Sequence, residues 1–98
     1  MSERAMTNTE LAQTGINFDD YAFAEEAGTA KGKLTAKMWG RKRNLVSYYD
    51  MEDGRKLKFS TWYNQDYLGI DKIPVGTSVM IVMSEGKNYI QMSKIYEV

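Results

Sequence analysis

The sequence predicts a mainly β protein, a five-stranded antiparallel barrel with a short helical connector between the third and fourth strands. Three observations favour this class. Apolar and polar residues alternate with a period of two from about residue 31 onward, which is typical of half-buried strands. Turn signals such as Asp53-Gly54 separate the alternating segments. The single proline lies in a longer segment that divides three hairpin-linked strands from a last hairpin.

The individual strands follow from this alternation. In the first strand, Leu34, Ala36 and Met38 alternate with residues of the opposite face. The fourth strand, SVMIVMS, is apolar on both faces and is expected at the centre of the sheet. The predicted strands cover residues 33–39, 44–51, 55–63, 78–84 and 88–96. With a connector of about one helical turn in residues 64–77, this order matches a barrel of the OB type. An SH3-like barrel is the alternative architecture.

Residues 1–30 are predicted to form an acidic N-terminal arm before a barrel domain of residues 31–98. The arm carries six acids and one base, a net charge of −5, whereas the barrel carries a net charge of +5. We expect the arm to be flexible or partly helical. It is a candidate binding segment for a replication or host protein. Its charge would also let it lie over the basic barrel and inhibit it.

Two short helices are predicted within the arm. Thr7 and Glu10 have the spacing of a capping box. Asn17 or Asp19 is expected to cap a second helix over residues 20–27, which a glycine would close. Neither helix is long enough to be stable alone.

The composition excludes several function classes. The chain has no cysteine and no histidine, so thiolate chemistry, disulfides, the commonest general base and the commonest metal ligand are absent. No glycine-rich phosphate loop is present. We therefore predict a protein that is not an enzyme and uses no cofactor or metal. The lack of a long apolar run predicts a cytoplasmic protein without a membrane partner.

The second hairpin predicts which side chains share a face of the barrel. A two-residue turn at Asp53-Gly54 would place Tyr48 opposite Phe59 and Tyr49 opposite Lys58. Tyr48 and Phe59 are then expected in the core, and Tyr49 and Lys58 on the outer face. A slip of one residue would exchange these assignments.

The first hairpin is predicted to have a three-residue loop, residues 41–43. This loop keeps Met38 beside Val46 on the core face and puts Lys37 and Trp39 on the outer face. The outer face would then collect cationic and aromatic side chains around a basic loop. The predicted nucleic-acid-binding residues on this face and loop are Lys37, Trp39, Arg41, Lys42, Arg43, Tyr49, Lys56, Lys58 and Trp62.

These residues belong to a segment, residues 31–63, that contains nine Lys or Arg, three acids and six aromatic rings. Cations contact phosphates and rings stack on unpaired bases, so this composition predicts binding of single-stranded DNA or RNA. Lysines opposite a core face are also ordinary on any barrel, and the rings could be covered by the arm or by a second copy in a homo-oligomer. A protein-interaction or inhibitor module that uses the aromatic face and the acidic arm is the alternative function.

The segment from residue 56 to residue 95 resembles small phage-type single-stranded-DNA-binding OB domains. The resemblance rests on a strand that ends in Trp62, the segment PVGTSV before the fourth strand, and a last strand that ends in Lys-Ile. It implies binding through strands two and three and the loops joining strands one–two and four–five, which adds Lys87 and Tyr89 to the predicted site. It also implies a role in phage or plasmid DNA replication or recombination, in a bacterial host cytoplasm. Bacterial single-strand-binding proteins usually carry an acidic partner-binding tail at the C-terminus, whereas the acidic segment here is N-terminal.

Overall fold

The structure, a computed structural model, describes residues 16–98 as one five-stranded antiparallel sheet that curls into a barrel-like fold. The predicted fold class is confirmed. The predicted helix after Thr7 lies outside the described residues. The strands are β1 (Gly28–Trp39), β2 (Leu45–Met51), β3 (Lys56–Thr61), β4 (Ser78–Glu85) and β5 (Ile90–Glu97).

The strand order β3-β2-β1-β4-β5 places the long strand β1 at the centre. The first half of β1 pairs with β4, and its second half pairs with β2. β3 and β5 are the two edges of the sheet, and curling brings them into contact with each other. One apolar core fills the interior. Its buried members are Ala24, Leu34, Leu45, Tyr49, Met51, Leu57, Phe59, Ile70, Ile73, Val79, Ile81, Met83 and Met92.

A bulge in β1 between Leu34 and Ala36 reverses the two faces of that strand. The predicted register of the first hairpin is confirmed from its loop up to the bulge, since Lys37 lies opposite Ser47 and Trp39 lies opposite Leu45. The predicted faces are wrong, however. Leu34 points into the core, but the extra residue turns Ala36 outward and Lys37 inward.

The β2–β3 hairpin has a three-residue loop instead of the predicted two-residue turn. Met51 donates its amide to the Arg55 carbonyl at 2.8 Å, and Gly54 adopts a φ of 96°, a left-handed conformation that glycine tolerates. The register therefore shifts by one residue, and Tyr48 lies opposite Lys58. Consequently the prediction that placed Tyr49 on the outer face is wrong.

The connector between β3 and β4 is the predicted short helical segment. It consists of 3₁₀ turns over Tyr63–Lys72, interrupted by four residues with φ between 51° and 78° at positions 66–69. Ile70 and Ile73, both buried, anchor its C-terminal end in the core. No helix within residues 16–98 is long and apolar enough to cross a membrane.

Residues 16–27, which we call the strap, lie against the outer face of the sheet up to Tyr21 and then run along the edge of β3. Asn17 caps a single 3₁₀ turn over Phe18–Asp20, and the chain then becomes extended. The predicted helix over residues 20–27 is wrong, because Ala22 forms a parallel bridge with Leu57 at the edge of β3. The strap also covers a second, smaller cluster of buried side chains. That cluster consists of Tyr21, Ala36 and Tyr48.

Candidate nucleic-acid interface

The two edge strands β3 and β5 enclose a groove of about 450 Å³, which we call the seam groove. Phe59 from β3 and Met92 from β5 contribute buried side chains to it. Three rings at the groove remain exposed: Phe23 by 54%, Trp62 by 36% and Tyr89 by 64%. Contiguous exposed rings usually mark a contact surface, so the seam groove is the candidate functional site.

The seam groove continues toward the connector through a more polar extension of about 290 Å³. Trp62 and Tyr89 line both parts, and Tyr63, Asn64 and Gln65 line only the extension. Tyr63 is 74% exposed and adds a fourth ring. All the lining side chains are uncharged. The groove therefore presents flat apolar rings at one end and amide groups at the other.

Local hydrogen bonds fix the backbone that carries two of the rings. The side-chain oxygen of Gln65 accepts the amide proton of Trp62 at 3.2 Å. The Trp62 carbonyl in turn accepts from the amides of Gln65 at 3.0 Å and Tyr67 at 3.1 Å. In the β4–β5 turn, the amide of Gly86 donates to the Tyr89 carbonyl at 2.8 Å. Trp62 and Tyr89 thus project from closed turns.

The strap supplies the remaining ring. The amide of Ala22 donates to the Lys56 carbonyl at 3.1 Å, and the amide of Lys58 donates to the Ala22 carbonyl at 3.0 Å. These bonds fix the residue that precedes Phe23. The Lys58 ammonium lies 4.9 Å from the centre of the Phe23 ring, a cation–π distance. Phe23 is therefore held at the groove by backbone pairing and by a cation.

The basic β1–β2 loop ends beside the groove. Residues 41–43 are all exposed. The side-chain amide of Asn44, which follows the loop, donates to the Ser60 hydroxyl at 2.7 Å, and Ser60 lines the groove. On the other side, exposed Lys87 lies in the same turn as Tyr89. The predicted loop cations are therefore linked to the groove through Asn44 and Ser60, and Lys87 is linked to it through its turn with Tyr89.

Trp39 occupies a neighbouring position outside the groove lining. Its ring is 46% exposed and meets the Tyr67 ring edge-on, with 5.0 Å between centroids. The Tyr67 hydroxyl donates to the carbonyl of Arg43 at 3.4 Å. Trp39 thus lies by the basic loop, as predicted, but it contacts the connector and not the other predicted rings.

The two lysines on the outer face of β3 already have partners. Lys56 forms an ion pair with Asp50 at 3.3 Å and lies 5.2 Å from the Tyr21 ring, and the hydrogen bond with Asp50 raises the pKa of Lys56. Tyr21 donates its hydroxyl to Asp50 at 2.6 Å, and burial followed by Asp50 raises the pKa of Tyr21. Lys58 borders the groove through Phe23. The outer face is therefore a docking face for the strap.

Two predicted site residues are buried and do not contribute to a surface. The Lys37 ammonium donates to backbone carbonyls at the end of the connector, most closely to Ile73 at 2.7 Å. Tyr49 donates its hydroxyl to Ser47 at 2.8 Å inside the core, and burial raises its pKa. The prediction that both lie on the binding face is wrong, because the bulge and the three-residue turn reverse β1 and β2.

Sequence reasoning missed Phe23 and Tyr63 as groove residues. Tyr63 follows Trp62 directly in the sequence, so its position beside the groove could have been predicted. Phe23 lies two residues after Tyr21, and this alternation in the segment YAFA was a signal for an extended strap. The acidic composition of residues 1–30 favoured a flexible or helical arm instead, so Phe23 was not assigned to the site.

Within residues 16–98, no three acidic side chains group closely enough to hold a metal ion. Asp53, at the β2–β3 turn, pairs with Arg55 at 2.8 Å. The backbone amide and guanidinium of Arg55 lower the pKa of the Asp53 carboxyl.

No family model, curated protein or solved structure matches the chain. The resemblance to single-stranded-DNA-binding OB domains stays a prediction, and the functional assignment depends on the groove.

Proposed function

We propose that the protein binds single-stranded nucleic acid by stacking unpaired bases on the rings of the seam groove. The observation that carries this proposal is the concentration of exposed rings. Seven large apolar side chains are exposed in the described residues, and four of them line the groove or its extension. Base–aromatic stacking contributes about 1–3 kcal/mol per base and tolerates any base.

The charges around the groove support a polyanionic ligand. The lining itself holds no acidic side chain. Lys58 lies beside the Phe23 ring, and Lys87 precedes Tyr89 by two residues in the same turn. The basic loop, residues 41–43, leads into Asn44, which bonds to Ser60 of the lining. A strand that places its bases in the groove would direct its phosphates toward these cations. Each phosphate neutralised in a single strand contributes about −0.7 to the slope of log affinity against log salt. Three to five such contacts predict a weakening of about 20- to 130-fold between 50 and 200 mM salt.

The test uses the two tryptophans as separate reporters. Trp39→Phe leaves Trp62 as the only tryptophan, and Trp62→Phe leaves Trp39. Titration with an oligo(dT) 12-mer should quench Trp62 strongly and Trp39 weakly, because only Trp62 lines the groove. Binding should weaken with salt as calculated above. Absence of quenching at low salt, or affinity indifferent to salt, would refute the proposal.

Repeating the titration with oligo(U) compares DNA with RNA, since the two probes differ in the 2′-hydroxyl and the base methyl group. The biological setting that we attach to this binding is phage or plasmid DNA replication or recombination. It is motivated by the sequence resemblance alone.

The groove also favours a second candidate function, capture of an extended peptide. Its walls are β3 and β5, and peptides often add to the edge of a sheet by strand pairing. Because the strap already pairs with β3 at Ala22, the edge of β5 is the one to which a peptide would add. An alternating Val-Thr hexapeptide is a suitable probe. Quenching of Trp62 by this peptide at any salt concentration, together with no response to oligonucleotides, would favour the peptide function.

A further inference from the structure

We infer that Phe23 of the strap is a base-stacking residue, so that the strap completes the binding site and does not block it. This inference rests on the proposed function of the seam groove. It assigns a ligand-contacting role to a segment whose charge alone suggests inhibition.

The position of Phe23 carries the inference. Its ring lines the groove together with Trp62 and Tyr89, and more than half of its surface is exposed. A residue that served only to dock the strap would be buried, as Tyr21 is at 6% exposure. The strap therefore has separate docking and presenting side chains.

The docking contacts are strong enough to hold the presenting ring in place. Tyr21 is buried beside Tyr48, with 5.3 Å between ring centroids, and donates to Asp50. Ala24, on the other side of Phe23, is 7% exposed and belongs to the main core. A ring fixed between two buried neighbours loses little conformational freedom when a base stacks on it, which favours affinity.

The charges of the strap are compatible with this role. Glu25 and Glu26 line a neighbouring surface depression together with Arg55 and Lys56. The Phe23 ring lines both this depression and the seam groove and so lies between them. The acidic groups therefore face cations of the β2–β3 hairpin. They do not line the groove that a phosphate backbone would approach.

The experiment compares two exposed rings of similar accessibility in the full chain. Phe23→Ala removes the groove ring but keeps the backbone bonds of Ala22. Tyr96→Ala removes a ring that is 49% exposed and does not line the groove. Titrated with oligo(dT), Phe23→Ala should weaken binding by about 5- to 150-fold. Tyr96→Ala should stay within about twofold of the wild type, since it loses no stacked base.

A second measurement separates contact from a structural effect. In a background of Trp39→Phe and Trp62→Phe, the substitution Phe23→Trp places the only tryptophan at the groove, and Tyr96→Trp places it outside. Oligo(dT) should quench the first protein and not the second. If the wild type binds but Phe23→Ala binds equally well or more tightly, the inference is overturned while the proposed function stands. If the wild type does not bind, both fail.

Discussion

Replacing Lys37 by methionine tests whether this lysine stabilises the fold or binds phosphate. The ammonium is fully buried and donates to the carbonyl of Ile73 at 2.7 Å, and more distantly to those of Asp71 at 3.4 Å and Ile70 at 3.5 Å. Only the first distance is that of a strong hydrogen bond. Methionine keeps most of the aliphatic stem but donates to none of the three oxygens.

The expected cost follows from these contacts. A hydrogen bond from a charged group contributes about 1.5–3 kcal/mol, and a buried oxygen left without its donor adds a desolvation penalty. The ammonium itself is costly to bury, which offsets part of the loss. We expect Lys37→Met to lower the free energy of unfolding by about 1–3 kcal/mol. For a domain of this size, that lowers Tm by about 4–8 °C for each kcal/mol.

Urea unfolding followed by circular dichroism measures this change. Lys94→Met, at an exposed position of β5, is the matched control and should stay within about 0.5 kcal/mol of the wild type. Oligonucleotide binding by Lys37→Met should keep its salt slope, whereas Lys58→Met should flatten the slope by about 0.7. Wild-type stability in Lys37→Met, or a flattened salt slope in that variant, would refute the assignment of Lys37 as a structural residue.

Three further substitutions test the strap, the sheet and the turn. Tyr21→Phe removes the hydroxyl bonded to Asp50 at 2.6 Å and should cost about 1–3 kcal/mol, with faster proteolysis of the strap. Gly32→Ala would put its Cβ 2.9 Å from the Asp50 carbonyl oxygen and should destabilise the protein by about 1–3 kcal/mol in urea. Arg55→Gln should raise the lowered pKa of Asp53, seen by NMR titration. The wild-type turn thus stabilises the fold above pH ~4 and loses this contribution as the pH falls further.

The strands were predictable because hydrophobic alternation survives local irregularities. Four strands lie within two residues of their predicted bounds, and β1 begins at Gly28, five residues before its predicted start. The register next to the first loop follows from the three residues of that loop. It was less predictable which side chains of β1 and β2 point into the core. The bulge before Ala36 leaves no mark in the alternation of Leu34, Ala36 and Met38, because the strap makes the outer face apolar as well.

The candidate site was predictable only in part for the same reason. Strand ends and turns fix the positions of Trp62, Tyr89 and the basic loop. These positions stay the same when the two faces of a strand are exchanged. Lys37 and Tyr49 depend on the faces of β1 and β2, and both predictions fail. Phe23 depends on a contact between segments that are distant along the chain, and such contacts have no local signature.

The strap explains why the rings gather at the edges of the sheet and not on its outer face. The sequence predicted Tyr49 as a ligand contact on the outer face of β2, but Tyr48 lies there instead. Phe18 and Tyr21 of the strap pack against the Tyr48 ring. That face is occupied by the chain itself. Four of the exposed rings lie at the groove where β3 and β5 meet or at its extension, and one of them, Phe23, comes from the strap. The strap therefore covers the outer face of the sheet and also forms one wall of the seam groove. Because both depend on the strap, Tyr21→Phe should lower oligonucleotide affinity as well as the free energy of unfolding.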